Sequence, residues 1–254
     1  KEPMHIPLRF GLLLAAGSEA TPGAVSGAEV TGDVLPLKQR RQTVPFSGIA
    51  SRPVVSLNRS FSAPINLHFE PAPADLAQIA RHDSDLFARW QALNDLALPN
   101  LVEAARKARA GEPVETNAVL ADTLIAIAGD EALEPAFRAQ ALALPSESDI
   151  ARELGSNNDP DAIRAGREAV LAFVAKRDPA AFARLFDANR TEGAFTPDAA
   201  SAGQRALRNA ALAYLAVSDG TPARAAQAFA NADNMTHLSA ALTVLAHRFP
   251  DPPE

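Results

Sequence analysis

The side chains best suited to chemistry in this chain are its histidines. They are His5, His68, His82, His237 and His247. A zinc-protease motif requires a glutamate directly after the first of two histidines, but Ile, Phe, Asp, Leu and Arg follow these five in turn. His237 and His247 are ten residues apart, which is about 280° around a helix and places them on different faces. The histidine pattern therefore predicts no metal site.

A short polar run, from His82 to Asp85, contains the residue types of a nucleophilic triad. The members of a triad are recognised by their geometry and not by adjacency in sequence. The run is also typical of a polar turn between helices, where a hydroxyl or carboxylate caps the next helix. We therefore expect a turn here, with Ser84 or Asp83 as the cap.

Two charged clusters have structural explanations. Carboxylates near a helix N-terminus complement the helix dipole, and charges between strands protect an exposed hairpin or sheet edge. The acidic cluster is Glu147, Asp149 and Glu153, and the basic cluster is Lys38, Arg40 and Arg41. The residues alone thus predict no catalytic, cofactor-binding or metal-binding position.

Composition limits the class of protein. A net charge of −6 argues against nucleic acid as a partner, because nucleic-acid binding requires a basic face. The absence of cysteine excludes disulfides and thiolate metal sites and favours a cytoplasmic setting. No apolar run approaches the ~20 residues that span a bilayer, so we expect no membrane partner.

The first part of the chain has the pattern of short β-strands. Apolar runs at 5–14, 34–37, 42–49 and 54–57 are separated by segments rich in Gly, Ser and Pro. In the run 61–69 the apolar residues alternate with Asn66 and His68, which predicts a half-buried strand. This pattern predicts a small antiparallel β-sandwich over residues 1–70.

A proline-rich linker at 71–75 precedes an alanine-rich helical pattern over residues 76–254. The spacing of Leu86, Trp90 and Leu93 predicts a helix with Trp90 as an anchor in the core. Four dipeptides predict helix starts, each a capping residue followed by proline: Asp159-Pro160, Asp178-Pro179, Thr196-Pro197 and Thr221-Pro222. The sequence therefore predicts an α+β multidomain chain, in which the β-sandwich is followed by an irregular, HEAT-like α-solenoid.

Several segments resemble the bacterial alanyl-aminopeptidase branch of the M1 zinc aminopeptidases. They are Ser56-Leu-Asn-Arg-Ser-Phe-Ser-Ala-Pro-Ile-Asn-Leu67, His82-Asp-Ser-Asp-Leu-Phe-Ala-Arg-Trp90, Leu142-Ala-Leu-Pro-Ser-Glu147 with Asp159-Pro160, Arg205-Ala-Leu-Arg-Asn-Ala210 and Asn234-Met-Thr236. Their order and spacing are similar to those of the family over residues 5–248. The resemblance implies an Ig-like β domain followed by the first part of a helical domain.

The same resemblance implies a parent enzyme that removes N-terminal amino acids from peptides with a zinc-bound water activated by a glutamate. No position here matches the family's catalytic or zinc-binding residues, so the catalytic domain is expected upstream of residue 1, and further helices beyond Glu254. The partners of this chain would be those parts of its own polypeptide, and the parent would bind peptides. This chain would hold no cofactor, and its helical domain would close the active-site cavity. The competing hypothesis is an independent β-sandwich and α-solenoid scaffold that binds another protein.

Overall fold

The computed structural model describes residues 4–191 and 193–250. The chain divides into two compact units, Lys1–Leu96 and Ala97–Glu254. The first unit contains the strands and the beginning of the helical sequence, and the second is formed by helices. The sequence-based division at 1–70, 71–75 and 76–254 follows the change of pattern and stays a prediction.

The strands of the first unit form two small antiparallel sheets. β1 lies at the centre of a three-stranded sheet with β3 on one side and β5 on the other, and β2 pairs with β4. The strands are β1 Ile6–Leu13, β2 Ala24–Val25, β3 Val34–Leu37, β4 Phe46–Ser47 and β5 Val54–Leu57. Leu8, Phe10 and Leu12 of β1 are buried, as expected for alternate residues on the core face of a strand.

The predicted strand over 61–69 is absent. Residues 59–61 form a single 3₁₀ turn, and residues 62–72 have no regular structure. The alternating side chains Leu67 and Phe69 remain 41% and 38% exposed. Alternation alone did not produce a strand because, within the described part of the chain, this segment pairs with no neighbouring strand.

Helix α1, Pro73–His82, packs against β1 and β5 within the first unit. Proline at the first helical position begins the helix, and Leu76, Ile79 and Ala80 form its buried face. The side chain of Gln78 donates a hydrogen bond of 2.6 Å to the carbonyl of Leu14. This contact fixes the helix to the end of the central strand.

Helix α2, Leu86–Ala110, continues into the second unit and contains Pro99. A proline inside a helix lacks the N–H that would bond to the carbonyl four residues earlier, here that of Asp95. The described helices that follow are α3 Ala118–Gly129, α4 Pro135–Ala141, α5 Glu147–Leu154, α6 Pro160–Arg177, α7 Pro179–Ala188, α8 Ala199–Asp219, α9 Ala223–Ala230 and α10 Met235–Arg248. Between residues 80 and 250, Glu192 aside, no strand interrupts them.

Helix α8 is the centre of the second unit and packs against α4, α6, α7, α9 and α10. Tyr214 of α8 is 2% exposed and stacks on Phe182 of α7, with ring centroids 4.5 Å apart. Its hydroxyl donates a hydrogen bond of 2.7 Å to the carbonyl of Leu142. Burial raises the pKa of this phenol, which keeps the hydroxyl protonated as a donor.

Of the predicted helix starts, Asp159 and Asp178 cap α6 and α7 as expected, each followed by proline. The two threonine positions are wrong. Asp198, and not Thr196, caps α8, and α9 begins after Pro222 with no side-chain cap. Asp198 can accept a hydrogen bond directly from the Ser201 N–H, 2.9 Å away, and Thr196 donates its hydroxyl to that carboxylate.

Candidate functional site

In the first unit, the fold brings together two of the sequence segments singled out above, 56–67 and 82–90. The side chain of Arg59 in the first segment lies against Asp83 in the second, with Nη2 3.1 Å from Oδ1. The side chains of Arg59 and Asp83 are only 4% and 0% exposed. We call these two residues, with Glu19, the Arg59 cluster.

Glu19 supplies a second carboxylate, 2.9 Å from the same guanidinium nitrogen. It also accepts a hydrogen bond of 2.6 Å from the hydroxyl of Ser84. The hydrogen bond from Arg59 holds the pKa of Glu19 below its ordinary value, and Ser84 adds to that effect. The cluster thus contains two carboxylates around one buried cation, a balance that makes burial of the guanidinium tolerable.

Gly11 of β1 makes room for the Arg59 cluster. A Cβ atom at this position would lie 1.9 Å from Cζ of Arg59, closer than any real contact. The guanidinium therefore lies directly on the backbone of the central strand. Only glycine permits this approach.

The backbone that carries Arg59 is strained. Asn58, Ser60 and Phe61 have φ values of 57°, 53° and 50°, a left-handed conformation that is uncommon for residues other than glycine. The side-chain oxygen of Asn58 accepts a hydrogen bond of 2.9 Å from the N–H of Ala63. Strain of this kind persists only where surrounding contacts hold it in place.

Asp85 is the second residue that anchors the loop carrying Arg59. Its Oδ1 accepts hydrogen bonds from the N–H of Ser60 at 3.0 Å and of Ala88 at 2.8 Å. Burial acts to raise its pKa, but the hydrogen bonds from Ser60 outweigh that effect, so the pKa lies below the ordinary value for aspartate. Asp85 is thus the residue that caps the start of α2. Asp83, one of the two caps expected from the sequence, is instead the C-cap of α1, and its side chain accepts a hydrogen bond from the N–H of Asp85.

The strained loop presents Phe61 to solvent with 56% of its surface exposed. Its ring lies 5.7 Å from that of Phe87, which lies 5.9 Å from Trp90. A cavity of about 490 Å³ opens beside Phe61, with Ile65, Leu67 and Phe69 among its lining residues. The first unit therefore carries an exposed apolar surface. We call it the Phe61 surface, and its exposed members are Phe61, Leu67 and Phe69.

Trp90 is not the core anchor that its spacing predicted. It is half-buried, and Leu86 on the same stripe is 50% exposed. The buried face of α2 includes Leu93 of the predicted stripe, together with Arg89 and Ala92, which lie outside that stripe. The side chain of Arg89 donates a hydrogen bond of 2.8 Å to the carbonyl of Ala80. A charged residue is therefore buried at a position outside the predicted apolar stripe.

In the second unit, the segments 205–210 and 234–236 also meet. Asn209 donates a hydrogen bond to the carbonyl of Thr236 at 3.3 Å, and its Oδ1 lies 2.9 Å from Nδ1 of His237. The side chain of Asn234 caps α10 by accepting a hydrogen bond from the N–H of His237. These contacts join α8 to the start of α10.

Two arginines of the segment 205–210 stack on phenylalanine rings. Cζ of Arg205 lies 4.5 Å from the ring centroid of Phe195, and Cζ of Arg208 lies 3.6 Å from that of Phe186. Arg205 also donates to the carbonyl of Thr196 at 2.9 Å, and Arg208 donates to that of Phe186. Arg205 is only 4% exposed. Like Arg59, both arginines were missed by reasoning from sequence, because charged residues are ordinarily assigned to the surface.

The charged clusters lie where structural roles place them. Glu147 and Asp149 occupy the first turn of α5, and Asp149 forms a capping box with Ser146. The basic cluster lies exposed in the segment between β3 and β4, where Nζ of Lys38 is 3.8 Å from Glu29. Over the part of the chain that the structure describes, no three His, Asp or Glu side chains are grouped to hold a metal ion. None of the described helices is both long and apolar enough to cross a membrane.

Comparison with known proteins places both parts of the chain. Residues 1–70 match the family described as a domain of unknown function with an Ig-like fold (DUF3458). Residues 73–253 match the family described as a domain of unknown function formed by ARM repeats (DUF3458_C). The predicted fold class, an Ig-like antiparallel sandwich followed by an α-solenoid, is confirmed.

Curated relatives carry the name Aminopeptidase N. The protein from Caulobacter vibrioides is 37% identical over 209 residues, which are 81% of this chain and 24% of that protein. The protein from Escherichia coli is 30% identical over 245 residues, which are 96% of this chain and 28% of that protein. The chain thus spans about a quarter of the length of the curated relatives it matches.

A solved structure shows the same architecture. It is the crystal structure of Legionella pneumophila aminopeptidase A in complex with aspartic acid, with a TM-score of 0.75 and 25% identity. The likeness covers 95% of this chain and 28% of that one. Since the family match extends over most of the sequence, the chain belongs to the family of DUF3458 Ig-like and DUF3458_C ARM-repeat domains, the C-terminal region of M1 aminopeptidases.

Proposed function

We propose that this chain is the non-catalytic part of a zinc-dependent aminopeptidase that removes N-terminal amino acids from peptides. One observation carries the proposal: 96% of the chain aligns with Aminopeptidase N of Escherichia coli but accounts for only 28% of that protein. The helical domain, residues 76–254, would close the active-site cavity and restrict it to short peptides. The parent enzyme would act in the cytoplasm.

Zinc in this proposal belongs to another part of the parent polypeptide. The described residues do not fit a zinc site, because no three potential ligands among them are grouped together. In this proposal the role of these residues is structural. They would support and enclose the site at which the chemistry occurs.

The Phe61 surface supports a role as a contact for the rest of the parent polypeptide. Exposed apolar patches commonly mark interaction sites, and Phe61, Leu67 and Phe69 are each more than a third exposed. The strained loop that carries Phe61 is held by two separate anchors, Asn58 and Asp85. Such a rigid support lowers the entropy cost of binding, because the side chain is already ordered.

A substitution at Phe61 tests this contact in two settings. In the chain of residues 1–254, Phe61→Asn should change the unfolding midpoint little. Asparagine tolerates a left-handed backbone, which offsets the loss of the ring contact with Phe87. In the complete gene product the same change should destabilise the protein by about 1–1.5 kcal/mol, roughly half the value of burying a whole phenylalanine, because 56% of this side chain is exposed in the chain of residues 1–254. Met4→Asn is the matched control, because Met4 is 75% exposed in the same unit and lies outside the Phe61 surface.

Closure of the active-site cavity is tested with substrates of increasing size. The complete gene product should hydrolyse alanyl p-nitroanilide and short alanyl peptides, and should not act on a folded protein with an exposed N-terminal alanine. Equal rates on all three would refute closure. Equal effects of Phe61→Asn in the chain and in the gene product, with no peptidase activity, would favour the independent scaffold.

A further inference from the structure

A polar cavity of about 990 Å³ lies within the second unit. It is lined by the end of α7 and the described residues just after it, by one face of α8, by α9 and the turn that follows it, and by the start of α10. The polar side chains that line it include Arg190, Arg208, Asn209, Asn231 and His237. Several hydrogen-bond donors thus line one half-open space, in which Arg190 and Asn231 are exposed and Arg208 is half-buried.

Arg208 is the central cation of this cavity. It is half-buried between the ring of Phe186 and the carbonyl of the same residue, and neither of these partners carries a negative charge. Burial lowers its pKa, and the positive charge of Arg190 lowers it further. Counting the described residues only, neither arginine forms an ion pair with a carboxylate.

Among the residues that the structure describes, the remaining charges do not cancel this imbalance. Asp187 and Asp233 also line the cavity and are exposed, as Arg190 is. The negative charge of Asp187 acts to raise the pKa of Arg208, but the effects of burial and of Arg190 outweigh it. Arg224 is paired with Asp219, with Nε 2.8 Å from Oδ2. Burial lowers the pKa of His237, and the positive charge of Arg208 lowers it further. A half-desolvated guanidinium with a second arginine close to it is stabilised when an anion replaces the lost water.

We propose that this cavity binds a small oxyanion, a carboxylate or a phosphate, between Arg208 and Arg190. The planar guanidinium offers two parallel donors that match either group. The side-chain amide of Asn231 lies in the same lining and supplies a neutral donor. Nothing in this inference depends on the proposed peptidase function.

The test is a titration of the chain of residues 1–254 with sodium phosphate and, separately, with sodium succinate. Sodium chloride at matched ionic strength serves as the reference, and the unfolding temperature and isothermal calorimetry are the readouts. A site of this kind gives a saturable response, and the tighter of the two anions identifies the ligand class. Absence of a saturable response to either anion would overturn the proposal.

Variants at two arginines localise the effect. Arg190→Ala should weaken binding by about tenfold or more, as expected for the loss of one charge-assisted contact. Arg184→Ala is the matched control, because Arg184 lies on α7 with 71% of its side chain exposed and does not line the cavity. Binding unaffected by Arg190→Ala, or weakened equally by Arg184→Ala, would exclude this cavity as the site.

Hydrogen exchange provides a second readout that does not depend on substitution. The anion should slow exchange in the end of α7 and at the start of α10, two of the segments that line the cavity. Protection confined to residues 1–96 would contradict the assignment.

Discussion

Replacing Asp83 with asparagine removes the fully buried negative charge of the Arg59 cluster and leaves the side-chain shape nearly unchanged. The guanidinium of Arg59 stays where it is, because Gly11 leaves space for it and its side chain is only 4% exposed. The variant therefore leaves a buried cation with one partly exposed counter-charge, Glu19. We expect a loss of stability in the first unit.

The magnitude follows from burial. Removal of one partner from a buried ion pair costs about 3–5 kcal/mol, since the other charge remains desolvated. Glu19, whose side chain is 43% exposed, remains 2.9 Å from the guanidinium and offsets part of this cost. We therefore expect Asp83→Asn to lower the free energy of unfolding by about 3 kcal/mol, at the lower end of that range.

Urea unfolding followed by tryptophan fluorescence measures this effect in the right unit. Trp90 is the one tryptophan of the chain, and it lies in the unit that contains the Arg59 cluster. Glu29→Gln is the control, because it removes a carboxylate that is 92% exposed and 3.8 Å from Lys38. An exposed pair of this kind contributes about 0–1 kcal/mol.

A double variant separates the buried charge from a general packing defect. Arg59→Met combined with Asp83→Asn removes both members of the pair, and should be more stable than Asp83→Asn alone because no unpaired cation remains. The reasoning is refuted if Asp83→Asn lowers the free energy of unfolding no more than Glu29→Gln does. It is also refuted if the double variant is no more stable than Asp83→Asn alone.

The other predictions concern the second unit. Gly166→Ala should lower the free energy of unfolding by about 1–3 kcal/mol, because the added Cβ would lie 2.5 Å from the backbone nitrogen of Ala105. The control Gly129→Ala adds a Cβ with nothing within 4 Å and should be neutral or slightly stabilising. Equal effects of the two substitutions would contradict this packing. Tyr214→Phe should cost about 1–3 kcal/mol by leaving the carbonyl of Leu142 without its donor, and an unchanged urea midpoint would show that the bond contributes nothing. The raised pKa of Tyr214 also predicts that stability falls as pH rises above ~10, since the unfolded phenol releases its proton there while the folded one keeps it; Tyr214→Phe should abolish that part of the alkaline loss.

Much of the architecture could be predicted from the sequence because local signals were consistent with one another. The apolar runs at 34–37 and 54–57 became β3 and β5 with the same limits, and Asp-Pro at 159 and 178 began helices. These elements need no information beyond their own residues, since a cap or an apolar strand is defined locally.

The sequence could not reveal features that depend on distant contacts. The segment 61–69 has an alternating pattern, but a strand also needs an edge to pair with, and its backbone is instead fixed by Asn58 and Asp85. Trp90 and Arg89 are adjacent on α2, and the packing of α1 decides that the arginine is the more buried of the two. The only local sign of the Arg59 cluster was a glycine at position 11, inside the strand β1.

Zinc content and hydrolysis of alanyl p-nitroanilide, measured side by side on residues 1–254 and on the complete gene product, test the proposed role most directly. The gene product should contain stoichiometric zinc and hydrolyse the anilide, and chelation should abolish that activity. Residues 1–254 alone should neither retain zinc nor hydrolyse the substrate. Tightly held zinc with zinc-dependent hydrolysis by residues 1–254, or a zinc-free gene product without aminopeptidase activity, would contradict the assignment of this chain as the non-catalytic part of a zinc aminopeptidase.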